Sequence, residues 1–347
     1  MQARAQMAMD PRRDGLVPTR ASGRADVRVV ERPASARCLF QEEWWLEAAS
    51  GGAWERVEAG HASGAHAVLP FVRERVHGVL RIGMPPYTRT LGPVFTLPPS
   101  KPVTRAENMR ALVGELAGRL PRHDLFEQML APGAEHAALA FVLNGFAART
   151  QYTFRIAPDV PPERSWDALC QKTRNLVRTA SRRFRVDRHA EIGRFVALSR
   201  AQIAAGGKAD RHRYAAMARA FDAAQARGQA AVLSAMEDDR QAASVALVWD
   251  GEAAYLWNTA RDPGLAGSGA LSLLVWEACR LAAARGLAMD MDAFGTPAAG
   301  RFVAAFGGEP VPRPVIVRRG ILSSAVTFAG DLLRCGRGLL RRASEAA

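Results

Sequence analysis

A glycine-rich segment between a predicted strand and a long predicted helix has residue types that can bind an anion. In Arg261–Gly286 the strand ends, a loop follows, and the helix begins at Ala270. The loop contains Gly264, Gly267, Ser268 and Gly269. Glycines let the backbone approach a ligand closely, and the unpaired N–H groups at a helix start favour phosphate. The spacing predicts a phosphate cradle; the alternative is a connector that binds nothing.

Two common phosphate motifs are excluded for this loop. No Gly-Lys-Ser/Thr follows the glycines, so the segment is not a P-loop. The strands before it are predicted to form an antiparallel hairpin around Asp250-Gly251, a strong turn signal. A dinucleotide fingerprint needs a parallel unit instead. The pyrophosphate of coenzyme A is therefore the candidate ligand.

Two carboxylates follow on the next predicted strand, Ala288–Ala293. Asp290 and Asp292 are two residues apart, so their side chains share one face of the strand. Buried strands rarely carry two carboxylates without a reason. We expect a general base or an anchor for an ammonium group, with Asp292 favoured because it is nearer the strand end. The alternative is that they cap the next helix or pair with arginine.

A basic stripe runs along a helix predicted from about Ser165 to Arg183. Its members lie two to four residues apart: Lys172, Arg174, Arg178 and Arg182. Basic side chains of this kind can bind phosphate, so the stripe is a candidate site for a phosphate or sugar-nucleotide acceptor. The alternative is a solvated helix face, which is the common outcome for a charge run.

Four further side chains are candidates for the lining of a cleft. Tyr214 and His212 stand near the start of a helix predicted from Asp210 to Arg227, and Tyr87 and Arg89 lie in a Pro- and Gly-punctuated loop. A lone histidine is more often structural. We find no Ser/His/Asp or Cys/His arrangement with supporting context, and the remaining histidines lack metal-ligand spacing. Nucleophilic and metallohydrolase chemistry are therefore disfavoured.

The elements that must position these residues fall into two similar halves. Each half contains strands, a helix and a strand–helix ending, which predicts an α/β (α+β) fold with a mixed, mostly antiparallel sheet flanked by helices. We expect domains at residues 27–157 and 163–320, joined by the proline-rich stretch 158–162. Residues 1–26 are expected to be a disordered leader without the apolar core of a secretory signal.

Composition limits the classes of partner. The chain has 47 basic and 34 acidic residues, a net charge of +13, which favours an anionic partner such as a phosphorylated ligand, nucleic acid or membrane surface. Much of this charge can equally be solvated surface. The four cysteines are far apart, and Cys170 and Cys279 fall on apolar helix faces, which predicts that both pack in the core. No stretch of eighteen apolar residues occurs. We expect a cytoplasmic protein.

The last 27 residues, 321–347, can form an amphipathic basic helix. Leucines and a valine alternate with four arginines in this segment. It can dock peripherally on an anionic membrane. The alternative, packing on the protein itself, is favoured because glycines within the segment weaken a long helix.

The order of these features resembles a known superfamily. The hairpin, the loop and helix ending AAARG, then MDMDAFG and RFVAAFGGEPVP, are similar to the GNAT-like domain of FemA/FemB-type aminoacyltransferases and still closer to CelD-like acetyltransferases of polysaccharide clusters. CQKTRNLVRTASRRFRV, starting at Cys170, resembles the family's K-x-R-x-x-I-R-x-A helix. This resemblance favours Lys172 and Arg174 as acceptor-binding residues. PFVRERVHGVLRIGMPPYTRTLGPVF, starting at Pro70, resembles its N-terminal half.

The resemblance implies tandem GNAT-like domains and acyl transfer to an amine. The donor, acyl-CoA such as acetyl-CoA, would be a co-substrate rather than a bound cofactor, and no metal is needed. In GNAT folds a splayed pair of strands binds the pantetheine arm of the donor. Carried onto this chain, that strand is Ala253–Ala260, with Trp257, Asn258 and Thr259 near the bond-forming centre.

One departure affects the choice of donor. Where the FemA/FemB pattern reads F-K-x-G-F-G-G, this chain has Val303 at the lysine position. We therefore expect an N-acyltransferase that uses acyl-CoA. Its acceptor would be an amine on a sugar or cell-envelope precursor, which can also carry a phosphate group. Aminoacyl-tRNA or acyl carrier protein is the alternative donor. A non-catalytic basic nucleic-acid-binding protein is the alternative of another class, disfavoured because no binding motif occurs.

Overall fold

The computed structural model describes residues 38–320, except 77, 190, 208, 266 and 293–295. The described strands are β1 (Trp54–Gly60), β2 (His66–Val76), β3 (Val79–Gly83), β4 (Val94–Thr96), β5 (Leu125–Met129), β6 (Ala147–Ile156), β7 (Arg185–His189), β8 (Ala230–Glu237), β9 (Arg240–Trp249), β10 (Ala253–Arg261), β11 (Ala288–Asp290) and β12 (Glu309–Arg319). The described helices are α1 (Glu43–Ser50), α2 (Pro102–Arg119), α3 (Glu135–Leu143), α4 (Pro162–Ala168), α5 (Gln171–Arg183), α6 (Gly193–Ala205), α7 (Tyr214–Gln225), α8 (Ala270–Ala283) and α9 (Pro297–Ala304). The predicted leader and the predicted tail helix lie outside the described residues.

The twelve described strands form one sheet, in the order β1-β2-β3-β5-β12-β6-β11-β10-β9-β8-β7, with β4 on β2. The described pairs are antiparallel except β3 with β5 and β10 with β11, which are parallel. The predicted fold class, mixed α/β with a mostly antiparallel sheet in two tandem halves, is confirmed.

The two halves repeat one layout. In the first, β3 is followed, after the short strand β4, by α2, the parallel strand β5, helix α3 and β6. In the second, β10 is followed by α8, the parallel strand β11, helix α9 and β12. A parallel pair needs a crossover connection, which α2 supplies in the first half and α8 in the second.

The halves exchange their last strands. β6 ends the first half but pairs with β11 of the second, whereas β12 ends the second half and pairs with β5 of the first. β6 and β12 also pair with each other over nine residue pairs, from Glu309 with Arg155 to Val317 with Ala147. The sheet therefore crosses the predicted boundary at 158–162, and the division into two domains stays a prediction.

The strands that hold the second half together are covered on both faces. Every residue of β9 from Ala242 to Trp249 is buried. One face packs under α5 and α8 around Leu274 and Val275, and the other under α1, α6 and α7 around Phe221 and Trp257. Burial on both sides explains the continuous apolar sequence of these strands.

The helix predicted from about Ser165 to Arg183 is interrupted. Leu169 and Cys170 are extended, so α4 ends before them and α5 begins after them, with Cys170 as N-cap. The Cys170 N–H donates to the carbonyl of Ala305 at 3.0 Å, a tertiary contact that a continuous helix would lose. Cys170 is consequently exposed, so the prediction that it packs in the core was wrong. Cys279 is buried, as predicted.

Candidate functional site

The parallel strands β10 and β11 separate at the centre of the sheet. They pair only from Ala253 with Ala288 to Tyr255 with Asp290. A β-bulge between Leu256 and Asn258 then turns β10 aside, and β11 ends at Asp290. No described strand pairs with this edge of β10 beyond the bulge, where the Trp257 carbonyl accepts from Arg89 and the Arg261 N–H donates to Gln202 Oε1 at 2.8 Å. The backbone groups between these two contacts can bind an extended ligand.

The three residues predicted near this centre differ in exposure. Trp257 is buried, and its indole Nε1 donates to the carbonyl of Tyr87 at 2.8 Å. Asn258 is half-buried, and its Nδ2 is a buried donor without a partner among the described residues. Thr259 is exposed. An unpaired buried donor is costly, so Asn258 can donate to a bound ligand.

Asp290 is fully buried and accepts several hydrogen bonds. Thr153 Oγ1 donates to its Oδ1 at 2.6 Å, and Arg155 Nε donates to its Oδ2 at 2.7 Å. Burial opposes its ionisation, but the guanidinium groups of Arg155 and Arg313 and the Thr153 hydroxyl outweigh burial and lower the pKa of Asp290. This geometry matches the arginine-pairing alternative.

Asp292 lies where β11 has ended and adopts a left-handed conformation, φ 61°. Its Oδ2 lies 2.8 Å from Arg89 Nε and its Oδ1 lies 3.4 Å from Arg313 Nη1. The backbone N–H of Asp292 donates to Asp290 Oδ1 at 2.8 Å. The two predicted carboxylates therefore belong to one buried network.

The centre contains more positive than negative charge. Arg89, Arg155 and Arg313 face two carboxylates. Arg313 is fully buried, and its Nε and Nη2 have no partner among the described residues. Thr153, Arg155 and Arg313 were not predicted from the sequence. The available signal was weak: an arginine between prolines in EPVPRPVIVRR and a Thr-x-Arg alternation on β6.

Tyr87 and Arg89 of the first half reach this centre. Arg89 Nη2 donates to the carbonyl of Trp257 at the bulge. The Tyr87 ring packs against Trp257 with centroids 5.6 Å apart, and burial raises the pKa of its hydroxyl. Trp45 Nε1 donates to Thr88 Oγ1 at 3.0 Å and helps to hold the loop on the sheet. Arg89 thus contacts both separated strands.

The glycines before α8 have different surroundings. The Gly264 N–H already donates to Asp262 Oδ1 at 2.8 Å. A Cβ on Gly269 would lie 2.9 Å from the carbonyl oxygen of Leu176, so this glycine lets α8 pack on α5. Gly267, with φ 89°, has open space around it, and Ser268 is half-exposed. Gly267 and Ser268 are the predicted loop residues best placed to contact a ligand, beside the buried Ala270 that begins α8.

An open cleft of about 470 Å³ lies where the Tyr87 loop meets the segment before α7. Its lining includes Tyr87, Arg211, His212 and Arg213, and the Arg213 N–H donates to the Tyr87 hydroxyl at 3.1 Å. Tyr214 stacks on His212, with ring centroids 5.4 Å apart. These predicted residues are brought together with Tyr87.

Lys172 and Arg174 are not brought to this centre by any described contact. Lys172 is exposed, and Arg174 donates to the Asp167 carbonyl at 3.1 Å and to Gln171 Oε1 at 2.7 Å. Arg174 therefore braces the turn between α4 and α5. Among the described residues, no group of three or more His, Cys, Asp or Glu side chains is placed to hold a metal ion, and no helix is long and apolar enough to cross a membrane.

Comparison with known proteins identifies the second half. Residues 168–301 match the family model described as an acetyltransferase (GNAT) domain. No curated protein sequence matches the chain significantly. The predicted GNAT-type recognition is confirmed, and the protein is an acyltransferase. GNAT domains generally use acetyl-CoA as co-substrate.

Solved structures share the fold at low identity. A crystal structure of FemX is 12% identical with a TM-score of 0.61, covering 80% of this chain and 91% of its own. A conserved protein of unknown function from Bacteroides thetaiotaomicron VPI-5482 is 10% identical with a TM-score of 0.51, covering 80% and 92%. The C-terminal domain of a putative lysylphosphatidylglycerol synthetase from Agrobacterium fabrum is 12% identical with a TM-score of 0.50, covering 83% and 90%.

Proposed function

We propose that this protein transfers an acyl group from acyl-CoA to an amino group at the separated strands β10 and β11. The observation that carries the proposal is the parallel pair that ends at Tyr255 and Asp290, followed by the bulge. The edge of β10 beyond the bulge, which has no neighbouring strand in the described structure, can hydrogen-bond the amides of a pantetheine arm, as a third strand would. The loop after β10, in which Gly267 and Ser268 are accessible, leads into the start of α8, and a helix start suits the phosphates of the donor.

The residues around the gap favour particular steps. The amine nitrogen attacks the thioester carbonyl, the C–N bond forms and the C–S bond breaks. The proton lost by the nitrogen protonates the thiolate leaving group. Arg89 carries positive charge beside the bulge, where it can stabilise negative charge on the carbonyl oxygen. Asp292 fixes Arg89 and is itself held by Arg313. We assign Asp290 and Asp292 to the positioning of the neighbouring arginines, and Asn258 to a contact with the bound acyl-CoA.

The open cleft beside Tyr87 is the proposed acceptor site. Its aromatic and basic lining suits an amine-bearing acceptor that also carries a negative group, such as a phosphorylated sugar or cell-envelope precursor. Arg211 has no carboxylate within 4 Å in the described part of the chain, whereas Arg213 pairs with Glu74 at 3.1 Å. Arg211 is therefore the arginine that can bind the negative group of the acceptor. Contact with an anionic membrane through residues 321–347 remains part of this proposal.

Aminoacyl-tRNA is the second candidate donor. The similarity in fold to FemX favours it. Val303 counts against it, because this position is buried in the core beside the fully buried Phe306, where a lysine ammonium would lose its hydration. The acetyltransferase match removes the support for a non-catalytic nucleic-acid-binding protein.

Thermal shift measurements test the donor. Acetyl-CoA, longer acyl-CoAs and free coenzyme A are added to the wild type, Gly267→Glu and Gly133→Glu. Gly133 is a matched control because its φ is 81°, it also has open space, and it lies in the loop before α3. We expect stabilisation by acyl-CoA in the wild type and in Gly133→Glu, and none in Gly267→Glu. Absence of any shift in the wild type would reject the CoA donor and direct the test to aminoacyl-tRNA.

A further inference from the structure

A second cleft lies at the far end of β12, on the first half. The turn after α2, Leu120–His123, forms one side, and the end of β12, Arg318–Gly320, forms the other. Its volume is about 360 Å³. The cleft is separate from the acyl-transfer site: Arg318 is five residues beyond Arg313, roughly 17 Å along an extended strand, and points to the opposite face.

Arg318 is held in a fixed orientation in this cleft. Its guanidinium lies over the Phe146 ring, 4.5 Å from the centroid, and its Nη2 lies 3.1 Å from His123 Nε2. His123 Nδ1 lies 2.7 Å from the Pro121 carbonyl oxygen. A carbonyl only accepts and a guanidinium only donates, so Nδ1 carries the proton and Nε2 accepts from Arg318. The ordering cost of Arg318 has therefore been met before any ligand arrives.

The positive charge of the cleft is not balanced. Arg122 and Arg319 are exposed and line the cleft together with Arg318. In the described part of the chain, none of these three arginines lies within 4 Å of a carboxylate. Asp124 is nearest in sequence, but its Oδ2 accepts from the Leu80 N–H at 2.9 Å. Burial lowers the pKa of Arg318, so its charge is poorly solvated and an anion there would relieve that cost.

We propose that this cleft binds a phosphate group. Three guanidiniums around one opening supply several charge-assisted donors, and a stacked, oriented guanidinium can bind two phosphate oxygens side by side. A carboxyl side chain of the protein does not compete for them in the described structure. The phosphate can belong to a soluble molecule or to a lipid headgroup, because the same donors recognise both.

The test measures phosphate binding to the full chain. Equilibrium dialysis with radiolabelled inorganic phosphate is carried out at constant ionic strength, and co-sedimentation compares phosphatidylcholine vesicles with vesicles that also contain phosphatidylglycerol. The variants are the double change Arg122→Gln/Arg319→Gln and the single change Arg318→Lys. The control is Arg164→Gln/Arg194→Gln, which removes the same charge from two exposed arginines of α4 and α6.

We expect phosphate or vesicle binding by the wild type that is weakened roughly fivefold in the cleft double variant and unchanged in the control. Arg318→Lys keeps the charge but loses the planar fork, and should also weaken binding. Variant-dependent dialysis identifies a soluble phosphate, and variant-dependent binding only to phosphatidylglycerol vesicles identifies a lipid headgroup. Equal losses in the cleft and control variants, or no binding in either assay, would overturn the proposal.

Discussion

Arg89 Nε lies 2.8 Å from Oδ2 of Asp292, joining a loop of the first half to the end of β11 in the second. The same guanidinium donates to the Trp257 carbonyl on β10. One side chain thus spans the separated strands that form the proposed donor site. The shape of that site therefore depends on residues from both halves.

Replacing Arg89 by alanine should lower the free energy of unfolding by about 2 kcal/mol. The change leaves the buried Asp292 with a single guanidinium, and removing one partner of a buried pair is costly; the estimate is reduced because about a quarter of the Arg89 side chain is exposed. Urea unfolding measures the loss. Arg73→Ala, which breaks an exposed pair with Glu55, should cost less than about 1 kcal/mol. Equal losses would show that the Arg89–Asp292 contact is not stabilising.

Alanine at Gly269 and at Gly267 should separate packing from ligand contact. Both glycines have positive φ, so each change costs about 1 kcal/mol of backbone strain. At Gly269 the new Cβ also meets the Leu176 carbonyl at 2.9 Å, and the total should reach about 3 kcal/mol. Gly267→Ala should keep stability within about 1 kcal/mol. Chemical unfolding of the two variants checks the difference, and a Gly267 variant as unstable as the Gly269 variant would contradict the model of α8 packing.

Asp290 should make the protein less stable in acid. Its native pKa lies below the unfolded value of about 3.9. It therefore contributes stability above that value, and the contribution is lost as pH falls through the native pKa. We expect the stability difference between wild type and Asp290→Asn to be constant from about pH 7 to pH 5 and to shrink below about pH 4.

The control for this pH series is Asp262→Asn. Asp262 pairs with Arg240 at 2.7 Å, and that hydrogen bond lowers its pKa, but the pair lies near the surface. The difference in stability between the wild type and Asp262→Asn should be small at every pH. A difference for Asp290→Asn that does not change with pH would mean that the loss comes from packing and not from ionisation.

The strand exchange should make the two halves unfold together. β12 carries the buried Ile316 into the core of the first half, beside Phe126 of β5. Ile316→Ala should cost about 2–4 kcal/mol and lower the protection of amides in β8 and β9 as well as in β3 and β5. Native-state hydrogen exchange provides both readings. Loss of protection confined to the first half would show that the halves are independent.

Local structure in the second half was predictable from the sequence. The hairpin at Asp250-Gly251 was identified from its turn residues, and Asp250 Oδ1 does accept the N–H of Glu252 and of Ala253, each at 2.9 Å. Helix α8 begins at Ala270, as predicted, because a glycine-rich loop precedes a continuous apolar segment. These features depend on contacts between neighbours in the chain.

Other sequence predictions failed where distant contacts outweighed local preference. The helix through Cys170 is interrupted because the chain there bonds to Ala305. The basic stripe on α5 stays a prediction of a ligand site, and in the structure Arg174 bonds within its own turn. Periodicity reports which residues share a face, and it does not report what lies opposite that face.

The sequence by itself determined the fold class, the helix and strand types and the residue chemistry of the two carboxylates, because these follow from periodicity, turn residues and side-chain type. Only the tertiary structure decided that β6 and β12 change places and that Arg89, Arg155 and Arg313 surround Asp290 and Asp292. The physical reason is that strand pairing and ion pairing join residues far apart in the chain. Which partners meet is set by how the whole sheet closes its hydrogen bonds and buries its core.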